Sequence, residues 1–185
     1  IIVKKSGIYR IILRSLWLHF YYNVKTMSII LRPITFRDIE TCQHWAREIK
    51  VEQYQSRFYP KTFNGNDISG YDLLRCWYII LADSEEVGTV WLEKHAVEDE
   101  VAILGIMLGN KEKFGKGIGR AAIHLAITQA RKKLSFRSVE LNVRKANYRA
   151  IACYRSCGFE LVRVGIKIDG DGNGMPYFTM KKDLK

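Results

Sequence analysis

Three alternating glycines mark residues 113–120 as the segment best suited to bind a ligand. Its sequence is Lys-Phe-Gly-Lys-Gly-Ile-Gly-Arg. An apolar run precedes this segment and a helical apolar pattern follows it, so the order predicts a strand, a glycine loop and a helix. Glycine lets backbone N–H groups approach a ligand with no Cβ in the way. The first turn of a helix leaves N–H groups unpaired and favours an anion. With positive charge from Lys113, Lys116 and Arg120, the segment predicts a cradle for a diphosphate.

The glycine spacing departs from two common phosphate-binding patterns. A Walker loop requires Ser or Thr directly after its Gly-Lys pair, and neither follows here. A dinucleotide fingerprint has the form Gly-x-Gly-x-x-Gly, with an acidic residue about 20 positions later at the end of a second strand. Gly115, Gly117 and Gly119 alternate instead, and Glu140 lies in the middle of a predicted strand. The pattern therefore favours neither a P-loop nor a dinucleotide site.

A second pattern follows the apolar strand predicted at residues 139–143. Asn147 is a suitable N-cap, and Ala150 and Tyr154 fall on one face of the helix that it would begin. Gly158 stands where a helix ends in a left-handed conformation, and Phe159 can make the apolar contact that accompanies such an ending. The pattern predicts a short capped helix that leads into another strand.

Together, the two patterns resemble the GNAT superfamily, the Gcn5-related N-acetyltransferases. The family's second motif, Asn-x-x-Ala-x-x-x-Tyr-x-x-x-Gly-Phe, is complete in the five residues just named. Its first motif, Gln/Arg-x-x-Gly-x-Gly/Ala, is present at Gly117 and Gly119, with Phe114 where the family usually has Gln or Arg. The run at residues 104–119 is most similar to the Rim-type branch, which includes ribosomal-protein N-acetyltransferases. The resemblance covers residues 28–182.

The resemblance implies an α/β (α+β) GNAT fold, with a mixed central sheet of about six to seven strands and helices on both faces. The apolar periodicity agrees, since it predicts the element order βααβββαβαββ. We expect residues 27–185 to form a single acetyltransferase domain. Residues 1–26 then form a basic N-terminal extension, and Met27 is the expected natural start.

The resemblance also implies acetyl-CoA as cosubstrate and a set of residues that hold it. Backbone N–H groups of the central strand would polarise the thioester carbonyl, and the glycine loop would hold the diphosphate. The cofactor-binding residues implied are Ile106, Met107, Leu108, Phe114, Gly115, Lys116, Gly117, Ile118, Gly119, Arg120, Asn147 and Tyr154.

Two catalytic roles follow from the chemistry of an amine attacking a thioester. Tyr154 is the expected general acid, because a phenol stays protonated at neutral pH and can donate to the departing thiolate. The family often has an acidic residue on the central strand, where this chain has Ile103. Glu93 on the neighbouring strand is the best single choice of general base; His95 and the acidic residues 98–100 are alternatives, as is a water relay.

Three functions are compatible with these residues. The first is direct acetyl transfer to a primary amine of a small molecule or a protein N-terminus. The second is an aminoglycoside N-acetyltransferase, whose polycationic acceptor would need several carboxylates. The third is a non-catalytic CoA-binding module, which the Phe114 departure favours and an intact Tyr154 opposes. Carboxylates available for a polycation are Glu48, Glu52, Asp67, Asp72, Glu98, Asp99 and Glu100.

Composition limits the partners. The chain has 185 residues, which favours one domain, and its apolar content of 48% suits a sizeable core. Its net charge is +11; the first 26 residues carry five Lys or Arg and no Asp or Glu, which leaves +6 for the rest. A tetra-anionic cofactor accounts for basic residues near the glycine loop. No basic motif of nucleic-acid readers is present, so no nucleic-acid partner is expected.

Neither a membrane nor a metal is expected. Arg10 and Arg14 break the apolar stretch of the extension, which excludes a transmembrane span and leaves a surface-lying basic segment as the alternative. The four cysteines include no Cys-x2-Cys pair, as in a reduced, cytoplasmic protein without zinc. Residues 169–174 begin like a calcium loop, but Met180 occupies its twelfth position, so a hairpin turn is expected. Monomer and homodimer both remain open.

Overall fold

The computed structural model describes residues 27–50, Tyr59, 74–168 and 172–185. The strands of this part of the chain are β1 (Ile29–Pro33), β2 (Arg75–Ala82), β3 (Glu85–Glu93), β4 (Val101–Leu108), β5 (Ser138–Arg144), β6 (Glu160–Ile168) and β7 (Gly174–Asp183). Its α-helices are α1 (Ile39–Ile49), α2 (Ile118–Ala130) and α3 (Tyr148–Ser156), and the short 3-10 helices Phe36–Asp38 and Lys111–Lys113 precede α1 and α2. None of these helices is long and apolar enough to cross a membrane.

The predicted order of elements is confirmed wherever the structure describes the chain. The helix expected at residues 52–59 and the extension at residues 1–26 lie outside the described residues, apart from Tyr59. The turn expected at residues 169–174 is described only from residue 172 onward. The sequence pattern therefore located the scaffold on which both motifs sit.

The strands form one seven-stranded sheet in the order β1-β2-β3-β4-β5-β7-β6. Every neighbouring pair is antiparallel except β4 and β5, which run parallel. That parallel pair is held over three residue pairs, from Val101 with Ser138 to Ile103 with Glu140. Both strands continue well beyond it, so they diverge in the middle of the sheet and leave a gap.

Apolar side chains cover both faces of the sheet. Alternate residues of a strand point to opposite faces, and the larger core, with Leu104 and Leu141, packs against Ile123 of α2 and Tyr154 of α3. On the other face, Cys42 of α1 packs with side chains of β2 and β3. The expectation of a mixed sheet with helices on both faces is confirmed.

The start of α1 is fixed by a carboxylate that three donors share. Asp38 accepts hydrogen bonds from the backbone N–H and hydroxyl of Thr35 at 2.6 and 2.9 Å, and from the Arg32 guanidinium at 2.7 and 2.8 Å. Burial alone would raise the pKa of this carboxyl, but the bonds from Arg32 and Thr35 lower it below its usual value. This contact ties α1 to β1.

A pair of stacked tryptophans occupies the α1 face beside β4. The rings of Trp77 and Trp91 lie parallel within 2°, with centroids 4.2 Å apart. A Cβ built on Gly105 would lie 2.0 Å from the Trp91 ring, so this position requires glycine for close approach. The indole stack thus covers the middle of β4 on the side opposite α2.

Replacing Gly105 with Ala should therefore destabilise the fold. The added methyl group would overlap the stacked ring of Trp91, and overpacking of this kind costs roughly 1–3 kcal/mol. Gly119→Ala is the matched control, because its Cβ would meet no described atom closer than 3.6 Å. Urea unfolding followed by fluorescence measures both variants. If Gly105→Ala is as stable as the unmodified chain, the tight contact with Trp91 is wrong.

Candidate active site

A cavity of about 680 Å³ opens where β4 and β5 diverge. Its wall includes the end of β4 at Ile106, Met107 and Leu108, on the side that no longer pairs with β5. Backbone groups along that side of β4 therefore face the cavity, where an extended ligand can bond to them as an added strand would. The wall also includes Ile49 of α1, so the cavity reaches through the sheet to its other face.

The glycine loop forms the end of this cavity nearest α2. Gly115 and Gly117 have φ angles of +75° and +79°, a conformation that suits glycine, and Gly117 is the N-cap of α2. No described atom lies within 4 Å of a Cβ built on either residue, so the space above the loop is open. The loop therefore exposes the N–H groups of the first turn of α2, as an anion site requires.

The cations near the loop divide into two groups. Lys113, whose charge the sequence analysis counted toward the diphosphate cradle, instead forms an ion pair with Glu85 at the start of β3 and links the loop to that strand. Lys116 and Arg120 are exposed, line the cavity and have no ion-pair partner among the described residues. These two side chains provide the positive charge for a diphosphate.

Arg149 compensates for the departure at Phe114. Its guanidinium carbon lies 3.5 Å from the centroid of the Phe114 ring, in cation–π geometry, and both residues line the cavity. The family's usual Gln or Arg at the loop position is thus replaced by an aromatic ring that holds an arginine from α3. The cavity keeps a side-chain donor at this end.

The second motif folds as its residue types predicted. The Asn147 side chain caps α3 by accepting from the Ala150 N–H at 3.2 Å. At the other end Gly158 has φ +86°, and the Phe159 N–H donates to the Tyr154 carbonyl at 3.0 Å. The Phe159 ring packs edge-on against the Tyr154 ring, with centroids 6.1 Å apart. Both ends of α3 therefore hold Tyr154 in position.

Tyr154 lies in the cavity wall and is buried. Burial raises the pKa of its phenol above the ordinary value, and the neighbouring Cys153 and Cys157 add to this effect. A phenol of this kind keeps its proton at neutral pH and can donate it in a hydrogen bond. The site thus contains a buried donor of the type expected for a departing thiolate.

The structure brings together almost all the residues that the sequence assigned to the cofactor. Eleven of the twelve line the cavity; the exception is Ile118, whose side chain is 1% exposed and packs in the core. Only the backbone N–H of Ile118 is left to contribute. Other residues of the wall had not been assigned: Ile49, Asn142, Val143, Arg144, Arg149, Ala150, Ala152, Cys153 and Ser156. Four of these lie between the defining residues of the second motif, which could have pointed to them: Arg149, Ala152, Cys153 and Ser156.

A second cavity, of about 410 Å³, lies further along the β4–β5 junction. Its polar wall comprises His95, Asp99, Glu100, Glu140, Asn142, Arg163 and Thr179. Glu140 and Asn142 project from β5 to the face opposite its core residues Leu141 and Val143. The cavity therefore opens on the α1 face of the sheet.

Asn142 lines both cavities and is held in place by a buried hydroxyl. The Thr179 hydroxyl, 2% exposed, donates to Asn142 Oδ1 at 2.8 Å, and Arg163 Nε donates to the same hydroxyl at 3.4 Å. The bond directs the Asn142 oxygen toward Thr179, and the amide N–H groups are the donors that the side chain can offer to a ligand. It forms a polar link between the two cavities at the gap.

Glu93 and Glu140 flank Ile103 on the same face. Ile103 pairs with Glu93 across the β3–β4 ladder and with Glu140 across the β4–β5 ladder. The Glu93 carboxylate accepts a hydrogen bond from the Trp77 indole at 2.9 Å. Glu93 thus lies on the far side of β4 from the gap, whereas Glu140 lies beside the gap.

A family model described as an acetyltransferase (GNAT) domain matches residues 28–160. The chain belongs to the GNAT acetyltransferase family. It is accordingly an N-acetyltransferase with acetyl-CoA as cosubstrate, and the cavity with its glycine loop and β4 edge fits that group. The search of curated proteins gave no match.

Solved structures share the fold at low sequence identity. Spermidine N-acetyltransferase from Vibrio cholerae, in complex with CoA and spermine, is 18% identical with a TM-score of 0.68, over 84% of this chain and 95% of that one. RimL, a ribosomal L7/L12 alpha-N-protein acetyltransferase, is 17% identical with a TM-score of 0.67, over 86% and 96%. The aminoglycoside acetyltransferase AAC(6')-Ib with coenzyme A is 19% identical with a TM-score of 0.60, over 84% and 95%.

Gly117→Val should weaken acetyl-CoA binding by at least about tenfold, because a side chain would enter the loop where backbone N–H groups must approach the diphosphate. Gly172→Val is the control for backbone strain: Gly172 has a similar φ of +82° and an equally open surrounding, and it does not line the cavity. Isothermal titration calorimetry with acetyl-CoA measures both. Unchanged affinity in Gly117→Val would mean that the loop does not hold the cofactor.

Proposed function

We propose that the acetyl group passes through the sheet, from acetyl-CoA in the larger cavity to a primary amine in the smaller one. The observation that carries this proposal is the gap between β4 and β5, at which Asn142 lines both cavities. A route of this kind keeps the diphosphate on the α2 side and the acceptor on the α1 side. The reacting atoms meet only in the gap, which favours direct transfer over a covalent enzyme intermediate.

Polarisation of the thioester carbonyl is assigned to donors at the gap. The backbone N–H groups of Ile106 and Leu108 face it from β4, because the N–H of Met107 between them points to β3 in the antiparallel ladder. The amide of Asn142 faces it from β5. Preorganised donors of this type stabilise an oxyanion as it forms. Tyr154 then donates its hydroxyl hydrogen to the leaving thiolate, which its burial and intact proton support.

We assign the general base to Glu140 in preference to Glu93. Glu140 lines the acceptor cavity at the last residue pair before the strands part. Its cross-strand neighbour Lys181 forms an ion pair with Asp183 at 3.2 Å, and Glu140 has no ion-pair partner among the described residues. Its carboxylate is thus available to accept a proton from an incoming ammonium group, directly or through a water molecule.

The acceptor is proposed to be a primary amine of a small molecule or of a protein N-terminus. The described wall of the smaller cavity contains the carboxylates of Asp99, Glu100 and Glu140 and one arginine, Arg163. Glu100 is ion-paired with Arg137 at 3.0 Å, so Asp99 and Glu140 are the carboxylates that can attract a cationic amine. RimL, an acetyltransferase of a ribosomal-protein N-terminus, shares the fold and supports the hypothesis of a Rim-type enzyme whose acceptor is a protein N-terminus. An aminoglycoside is the second candidate, because several carboxylates converge on one cavity and a relative of that class shares the fold.

The remaining assignments rest on composition and family membership. Residues 27–185 are proposed to act as one catalytic unit in the cytoplasm, as a monomer or homodimer. No nucleic-acid partner is proposed, because the exposed cations Lys116 and Arg120 face the cavity that suits the cofactor.

The proposed function is tested by thiol release from acetyl-CoA with a panel of amines. The panel contains aminoglycosides, polyamines, amino acids and ribosomal-protein N-terminal peptides, each with its N-acetylated form as the matched control. Release that depends on one free amine class supports the transfer and ranks the acceptors. Silence across the panel, with acetyl-CoA shown to bind, would contradict the acceptor assignment and favour the CoA-binding module.

Tyr154→Phe should lower kcat by roughly 10²-fold, the scale of a positioned general acid, and leave acetyl-CoA affinity within about twofold because the ring and its packing remain. Tyr148→Phe on the same helix, 76% exposed, is the control. Single-turnover kinetics and calorimetry measure the two effects. Equal kcat in Tyr154→Phe would remove Tyr154 from the acid role.

Glu140→Gln should lower kcat/KM by about 10²-fold or more, since the amide cannot take a proton from the acceptor amine. Glu93→Gln is the matched control, because Gln can still accept from the Trp77 indole. Loss of rate in Glu93→Gln but not in Glu140→Gln would reverse the assignment. A small effect in both variants would favour a water relay without a dedicated base.

A further inference from the structure

Two cysteines at the C-terminal end of α3 have no assigned part in acetyl transfer. Cys153 and the C-cap residue Cys157 are one helical turn apart, so their side chains lie on one face of the helix. Cys153 lines the larger cavity, whereas Cys157 is 2% exposed. A Cβ built on Gly119 would lie 3.6 Å from the Cys153 sulfur, so this sulfur faces the first turn of α2.

The surroundings of this pair stabilise a thiolate. The hydrogen bond from Cys153 is the main cause that lowers the pKa of Cys157 to about 7, against the effect of burial, and Lys182, Ser156 and Arg120 act in the same direction. The same hydrogen bond, together with burial, raises the pKa of Cys153. The pair as a whole therefore loses its first proton more readily than an isolated buried thiol does.

The other two cysteines provide a contrast within the same chain. Burial raises the pKa of Cys42 to about 12, and nearby Asp38 and Glu86 oppose its ionisation further. Cys76 is fully buried in the core. Neither residue lines either cavity. Among the four cysteines, Cys153 is thus the one whose thiol can meet a ligand in the larger cavity.

We propose that Cys153 is a thiol–disulfide exchange site for an anionic disulfide of the coenzyme A class. The Cys153 thiolate attacks one sulfur of CoA disulfide, the S–S bond breaks, and a Cys153–S–S–CoA bond forms. The other CoA half leaves as a thiolate and takes up a proton from solvent, so one protein thiol is oxidised and one CoA thiol is released. The bound half fills the cavity and excludes acetyl-CoA. This proposal rests on the assignment of that cavity to the cofactor.

The cradle gives the reaction its selectivity. Lys116, Arg120 and Arg149 surround the entrance with positive charge, so an anionic disulfide is concentrated there and a neutral one is not. Bis(2-hydroxyethyl) disulfide is the neutral probe, because it carries the same reactive bond without a diphosphate.

The experiment treats the full chain at pH 7 with each disulfide and follows the modification by intact mass and peptide mapping. We expect one CoA per chain, on the peptide that holds Cys153, lost in Cys153→Ser, prevented by acetyl-CoA and reversed by dithiothreitol. Modification should be about tenfold slower with the neutral probe, and about tenfold slower in Cys157→Ser, because the neighbouring thiol that eases ionisation of the pair is lost.

Three outcomes would overturn the proposal. The first is no CoA adduct on a chain that still binds acetyl-CoA, which leaves the assignment of the cavity intact. The second is an adduct that persists in Cys153→Ser or maps to Cys42 or Cys76. The third is an equal rate with both probes and no protection by acetyl-CoA, which would contradict the cofactor assignment as well.

Discussion

The short parallel ladder between β4 and β5 is the constraint on which the rest of the site depends. Pairing ends after Ile103 and Glu140, although both strands continue. An unpaired strand edge in a protein interior leaves polar backbone groups that need partners. In the proposed function the extended arm of acetyl-CoA provides such partners, which would make the backbone of β4 part of the binding site. The gap also connects the two faces of the sheet, because the two cavities meet there at Asn142.

Contacts around the gap fix the elements that border it. The stacked indoles of Trp77 and Trp91 pack closely against β4 at Gly105. Lys113 ties the glycine loop to β3 through Glu85, and the two capped ends of α3 hold Tyr154 at the opposite wall. Rigid elements thus position the reacting groups, as catalysis by orientation requires.

Local patterns in the sequence sufficed for the elements and for most of the residues that line the larger cavity. The glycine loop and the second motif each use residues whose conformational role is local: Gly117 and Gly158 at positive φ, Asn147 as a cap. These roles depend on neighbours within a few positions, so a single sequence reveals them. Of the residues assigned to the cofactor, Ile118 has only its backbone to contribute, because its side chain belongs to the core.

Strand register was the part that the sequence could not supply. Glu140 was read only as a mid-strand acid, since its place beside Ile103 depends on which strands pair and where their pairing stops. The contact of Lys113 with Glu85 joins residues 28 positions apart, and the Thr179–Asn142 bond joins residues 37 apart. Contacts at such separations arise from packing of the whole sheet. The Thr179–Asn142 bond joins two residues of the wall of the smaller cavity, which is why the sequence did not reveal that cavity.

Hydrogen–deuterium exchange with and without saturating acetyl-CoA tests the central claim most directly. If the cofactor bonds to the free edge of β4, amides of residues 104–108 and of the loop at 115–120 should exchange more slowly in its presence. Strands β1 and β2, whose residues line neither cavity, should be unaffected and are the internal reference. Protection confined to those strands, or none in β4 while acetyl-CoA is bound, would contradict a site built on the divergence of β4 and β5.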